Sequence, residues 1–344
     1  MRGRYTLVIV GLLVLLVVTT ALSLATGPSA LSPGQAARIL LSALPGLGHM
    51  APQASAAEQA IVLDIRLPRL IVALLVGAAL AVAGAVMQGL FQNPMADPAI
   101  LGISAGATLG ATAAIMLGAR SVRIWLWTAN AVPVAAFCGA VTVAAAVYLL
   151  ARRAGRTPVT LLLLTGIALG SLTSALSSFL LIRGQQGDLD MVIIWMMGSL
   201  ANRGWPEVQM ILPYAVFAAA VIYLYSRELD VLLMGDEQAY YLGVPVERVK
   251  LILLVLASLL AAAAVAVAGA IGFIGLVVPH LMRLVVGPNH RALLPACILA
   301  GGVILGLSDV VANLAGEIPI GIVTSLLGAP FFLYLLHRTR EYQF

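Results

Sequence analysis

The chain has 344 residues, 62% of them hydrophobic and 10% charged, with a mean hydropathy of +1.06 and a formal net charge of +5. A soluble domain carries about 25% charged residues, so a water-exposed globule is excluded. The basic residues flank apolar runs and form no patch, which argues against a nucleic-acid partner.

The apolar runs have the length of membrane-crossing helices and do not alternate in ten-residue segments. The expected fold is therefore an all-α polytopic membrane bundle in one domain, not a barrel. In chain order, about ten spans are expected, at 5–25, 67–90, 98–118, 126–150, 160–182, 207–225, 249–269, 271–286, 295–314 and 319–336. The first run has an apolar core too long for a signal peptide and further spans follow it, so it reads as an uncleaved helix. The second span opens on "RLPR", with Arg66 and Arg69 at its mouth. Residues 81–94, "AVAGAVMQGLFQNP", are echoed by 266–279, "AVAGAIGFIGLVVP". Two halves of five spans follow, the second inverted relative to the first.

Ten spans place both termini on one side. That side collects twelve of the 19 Lys and Arg residues, Arg156 among them. The other side has seven, Arg120 among them. The positive-inside rule puts the termini in the cytoplasm.

The longest cytoplasmic loop is 226–250, "SRELDVLLMGDEQAYYLGVPVERVK". Leu232, Leu233, Ala239, Tyr240 and Leu242 can form the apolar face of one short helix. Asp236 and Glu237 sit near its start, and Gly243 and Pro245 end it. The segment reads either as a solvated loop on the membrane or as a docking helix for a motor partner. Near the chain's end, "GAIGFIGLVVPHLMR" (269–283) combines three glycines, Pro279, His280 and Arg283. The glycines suit close helix approach and a turn, and Pro279 suits a bend.

Several chemistries are missing. Lys250 is the single lysine and lies outside any glycine-rich phosphate loop, so the chain is not expected to hydrolyse ATP. Carboxylates are scarce at span centres, Asp309 being the main candidate, which argues against ion-coupled transport. His49, His280, His290 and His337 form no spaced metal site, and no catalytic constellation is visible. Cys138 and Cys297 lie in apolar runs and read as packing residues.

Six ordered motifs carry a family resemblance. They are the segment 66–107 with "GAVMQGLFQNPMADPAILGISAGA", "WMMGSL" (195–200), "MGDEQAYYLGV" (234–244), residues 269–283, "GPNHRALLP" (287–295) and "EIPIGIVTSLLGAPFFLYLL" (317–336). The chain resembles the FecCD-like permease subunits of type II ABC importers for iron-siderophores, haem and vitamin B12. The resemblance implies a homodimer in a bacterial inner membrane, two cytoplasmic ATPase subunits holding ATP and Mg, and a periplasmic substrate-binding protein. No cofactor is implied in this chain. The expected cargo is a haem or ferric siderophore, with cobalamin as the alternative. An ion-coupled secondary transporter is the more distant alternative.

By the same resemblance, Arg66 and Arg69 dock the binding protein. Asn93 and Met95, with Thr157 and Pro158, form the cytoplasmic gate. Gly235, Asp236, Glu237, Ala239, Tyr240, Leu242 and Gly243 couple to the ATPase. His280, Arg283 and His290 lie near the pathway exit and serve packing or gating. The family often has an arginine where this chain has Asn313, so a third docking contact is not expected.

Overall fold

The structure is a computed structural model that describes residues 2–27, 31–43, 54–119, 121–124, 127–153 and 157–340. Arg120, Arg156 and His49 lie outside the described residues.

The first half runs α1 (Arg2–Ala25), α2 (Pro33–Ser42), α3 (Ala56–Ala60), a π-helical turn (Ile61–Arg66), α4 (Leu67–Leu90), a 3-10 turn (Pro98–Leu101), α5 (Ile103–Met116), the hairpin β1 (Ser121–Ile124) and β2 (Trp127–Asn130), α6 (Ala131–Ala151) and α7 (Val159–Leu181). After α8 (Gln186–Met196), the second half runs α9 (Trp205–Leu224), α10 (Ser226–Leu232), α11 (Asp236–Tyr241), α12 (Val246–Ala268), α13 (Ile274–Val286), α14 (His290–Leu314) and α15 (Ile320–Arg340). Among the described residues, seven helices are long and apolar enough to cross a bilayer, and α5, α13 and α15 supply three shorter apolar ones.

Three expected elements differ from the sequence reading. The span 98–118 breaks at Gly102, whose φ of +73° ends the 3-10 turn and starts α5. Asp97 caps that turn, its Oδ1 accepting from the Ala99 N–H at 2.8 Å, while burial pushes its carboxyl above the usual range. The span 271–286 shortens because Gly269 (φ +75°) and Phe273 (φ +69°) are both left-handed, so helix resumes only at Ile274. The segment 226–250 is not one short helix. Gly235, at φ +109°, separates α10 from α11.

The core is built on α4 and α12, which pack against each other at the centre. Around them the packing repeats: α4 lies on α13 and α14, and α12 lies on α5 and α6. Five apolar helices per half, crossing alternately, invert the second half against the first. From Ala79 to Leu90 every residue of α4 is buried. Alanine and glycine dominate this stretch, because close approach in lipid depends on van der Waals contact between small residues.

Two glycine pairs set the close approaches of α4 to α13 and α14. A Cβ on Gly77 would overlap the Gly301 carbonyl of α14, and one on Gly301 would overlap the Gly77 carbonyl. A Cβ on Gly84 would overlap the Gly275 carbonyl of α13. Proline explains the second contact. Pro279 has no N–H, so the Gly275 carbonyl four residues earlier loses its intrahelical partner. That carbonyl faces the bare backbone at Gly84. Gly84→Val should therefore separate α4 from α13 and cost about 1–3 kcal/mol or more. Thermal melting in detergent checks this. Gly11→Val, which meets nothing within 4 Å on α1, should melt like the parent.

Candidate functional site

The candidate residues fall at the two ends of the bundle. At one end, the α3 and π-helical turns lead into α4 and set Arg66 and Arg69 against the ends of α1 and α14. Both guanidinium groups turn inward, unlike the displayed pair expected from "RLPR". Arg66 is 7% exposed and donates to the Leu24 carbonyl at 2.6 Å, completing the C-terminus of α1. Arg69 makes a forked contact with Asp309 of α14, Nη2 to Oδ1 at 2.9 Å and Nε to Oδ2 at 3.0 Å. Glu317, its backbone at φ +60°, approaches Arg69 Nη1 at 3.7 Å from the solvent side. Asp309, which the sequence reading considered only as a candidate for ion coupling, is thus the partner of Arg69. These groups line an open cavity of about 290 Å³ with Ser23, Thr26, Asn313 and Glu317.

At the opposite end, the turn after α4 carries Asn93 and Met95. Asn93 Oδ1 accepts from the Met95 N–H at 2.9 Å, and the Asn93 N–H reaches the Gln88 carbonyl at 3.2 Å. Both side chains lie at or near the surface. Thr157 is buried and Pro158 caps α7. Thr157 lines one small cleft with Phe91, Leu90, Tyr148 and Lys250, so the two loops adjoin.

His280, Arg283 and His290 do not converge. Arg283 Nη1 donates to Gln88 Oε1 at 2.8 Å, and Gln88 Nε2 donates to the Leu276 carbonyl at 2.9 Å. His290 is fully buried, with its Nδ1 at 2.6 Å from Asp230 Oδ1. His280 is half-buried on α13. Among the described residues, no group of three or more His, Cys, Asp and Glu side chains is placed to hold a metal ion. Cys138 and Cys297 are both free.

The segment around α11 divides into two faces. Ala239 is fully buried, against the expectation that it faces outward with Tyr240. The split at Gly235 causes this: α11 restarts in a new direction and rests Ala239 on the core. Tyr240, Tyr241 and Leu242 stand 71%, 78% and 63% exposed. Asp236 pairs with Lys250 of α12, Glu237 points to solvent, and Gly243 reverses the chain at φ +81°. Sequence reasoning passed over Tyr241, although it adjoins Tyr240. It also passed over α7, where Ser171, Ser174 and Ser178 lie exposed at helical spacing. Hydroxyl spacing of three and four was the available signal. Lipid does not favour such a face, so it suits a protein or water boundary.

The match to known proteins covers nearly the whole chain. The FecCD transport family model aligns with residues 15–338. The chain belongs to the FecCD transport family. It is 49% identical over 284 residues to the cobalamin import system permease protein BtuC of Halobacterium salinarum, covering 82% of this chain and 74% of that one. The vitamin B12 permease BtuC of Klebsiella pneumoniae is 39% identical over 333 residues, covering 96% and 93%. The hemin transport permease HmuU of Yersinia pestis is 41% identical over 286 residues, covering 81% and 84%. A solved structure described as an inward-facing metal-chelate type ABC transporter superposes with TM-score 0.80 at 33% identity, covering 96% and 98%. This FecCD member is thus a multi-pass membrane permease of the type II importer architecture.

The Arg69–Asp309 contact yields a test. Asp309 is nearly buried, so removing its partner leaves an uncompensated carboxylate. Arg69→Ala should cost about 3–5 kcal/mol, and adding Asp309→Ala should recover most of it. Detergent melting of the two single variants and the double variant measures the coupling. Additive losses would show that the pair contributes nothing.

Proposed function

We propose that this chain is the membrane permease of an ATP-driven importer. It works as a homodimer in the cytoplasmic membrane with both termini inside. Two separate ATPase subunits supply ATP and Mg, and a substrate-binding protein docks at the outer face. The observation that carries this reading is the aromatic face of α11. Tyr240, Tyr241 and Leu242 are exposed at the end of a short helix, in a chain without a phosphate-binding loop. Exposed apolar clusters of this kind mark partner surfaces.

The cargo is a bulky metal-centred macrocycle, haem or a corrinoid. Relatives named for cobalamin or vitamin B12 import are 49% and 39% identical and one named for hemin transport is 41% identical, which supports the class without choosing between its members. The exposed serines of α7 would face the pathway between the two subunits. Asn93, Met95, Thr157 and Pro158 would close it on the ATPase side. At the outer face, Arg66 and Arg69 frame the docking cavity. A carboxylate of the binding protein would take the place of Glu317 on Arg69, and such exchange governs the rate of encounter.

Tyr240→Asp with Leu242→Asp should leave the permease folded and abolish co-purification of the ATPase. Retained co-purification and transport would move the coupling surface elsewhere. In proteoliposomes holding the full complex, uptake should need ATP and ignore proton and sodium gradients. Haem or cobalamin should be carried and should saturate the binding protein. Uptake of ferric siderophore alone would overturn the macrocycle assignment, and uptake driven by an ion gradient would overturn the importer reading.

A further inference from the structure

We propose that α10 is the transmission element between the ATPase-facing surface and the cytoplasmic gate, acting through two side-chain ties, Asp230 to His290 and Gln92 to the Leu232 carbonyl. The inference rests on the function proposed above and names residues which that reading leaves unassigned.

Helix α10 precedes α11 in the chain and packs against the body of the bundle. Its inner residues Leu229 and Leu232 are buried, and it packs on α4, α11 and α14. A push on α11 therefore reaches α10 through the short Leu233–Gly235 link. Two polar contacts carry α10's position onward. Asp230 Oδ1 accepts from the His290 backbone N–H at 2.9 Å and lies 2.6 Å from His290 Nδ1. This double contact fastens α10 to the first turn of α14. The His290 ring is buried at the end of α4, where a Cβ on Gly89 would come within 3.2 Å of Nε2.

The second tie reaches the gate turn itself. Gln92 Nε2 donates to the Leu232 carbonyl at 2.8 Å. That carbonyl closes the last turn of α10, where it also accepts from the Gly235 N–H at 3.1 Å. Gln92 has φ +48°, a conformation unfavourable for a residue with a side chain. Such strain persists only where surrounding contacts hold it. The next residue, Asn93, opens the turn that presents Met95. A shift of α10 by 1–2 Å, the usual scale of such helix movements, breaks the Gln92 bond. The backbone at Gln92 is then free to leave the left-handed region, which re-aims Asn93 and Met95. Gln92, Asp230 and His290 are positioning residues in this scheme, acting on the gate and not on the cargo.

The test uses the assembled permease–ATPase complex with its binding protein in proteoliposomes. Gln92→Met removes the donor and keeps the side-chain length, and Asp230→Asn weakens the tie to His290 while keeping its shape. Uptake is measured per ATP hydrolysed. A second readout is the inter-subunit disulfide formed by Asn93→Cys copies with and without nucleotide. Both variants should keep the ATPase bound and hydrolysing. Uptake per ATP should fall at least about fivefold, the lower range of measured coupling. Cross-linking should lose its dependence on nucleotide in the Gln92→Met background. Parent-like uptake per ATP with parent-like cross-linking would overturn the proposal. Loss of the bound ATPase in both variants would also overturn it, assigning these residues to assembly. A parent complex that itself fails to transport with ATP would instead refute the importer reading.

Discussion

The close approach of α4 to α13 and α14 is the constraint on which the other features depend. In lipid there is no hydrophobic gain from joining two apolar helices, so contact must come from fitted backbone surfaces. Gly77 against Gly301 and Gly84 against Gly275 let the backbones meet without side chains between them. Pro279 turns the Gly275 carbonyl from a helix acceptor into part of that interface. Once α4 is clasped, its ends are placed as well. Arg69 comes within reach of Asp309 at one end, and Gln88 comes within reach of Arg283 and the Leu276 carbonyl at the other.

Helix α14 connects these two ends. Its first residue, His290, is held by Asp230, and Asp309 near its far end is held by Arg69. A helix of 25 residues is about 37 Å long. It is packed along much of its length, with buried residues from His290 to Ala312. One helix therefore ties the contacts at the two ends of the bundle together. That arrangement suits a permease whose energy arrives from a separate subunit.

Much of this architecture was legible in the sequence. Seven spans announce themselves by length and hydropathy, and the echo between 81–94 and 266–279 matches the repeated packing of α4 and α12. The break of α11 at Gly243 follows from its glycine and proline. Other elements were not legible. A hydropathy profile through 98–118 shows one apolar run, while Asp97, Pro98 and Gly102 impose a capped turn before α5. The left-handed residue at Phe273 has no sequence signature, because glycine is the residue expected there. The break at Gly235 was hidden inside a pattern that also fits one continuous helix.

The sequence by itself determined that the chain is a membrane bundle, because charge content and span length are sums along the chain. It also determined which family motifs are present and in what order. It did not determine where side chains point. "RLPR" suggests two displayed cations, yet Arg66 caps α1 and Arg69 pairs with Asp309, 240 residues away. Ala239 and Tyr240 are neighbours, yet one is buried and the other is exposed. Whether a charge is displayed or paired depends on what lies across from it in space. That is decided only when distant helices are brought together, and here the glycines of α4 bring them together.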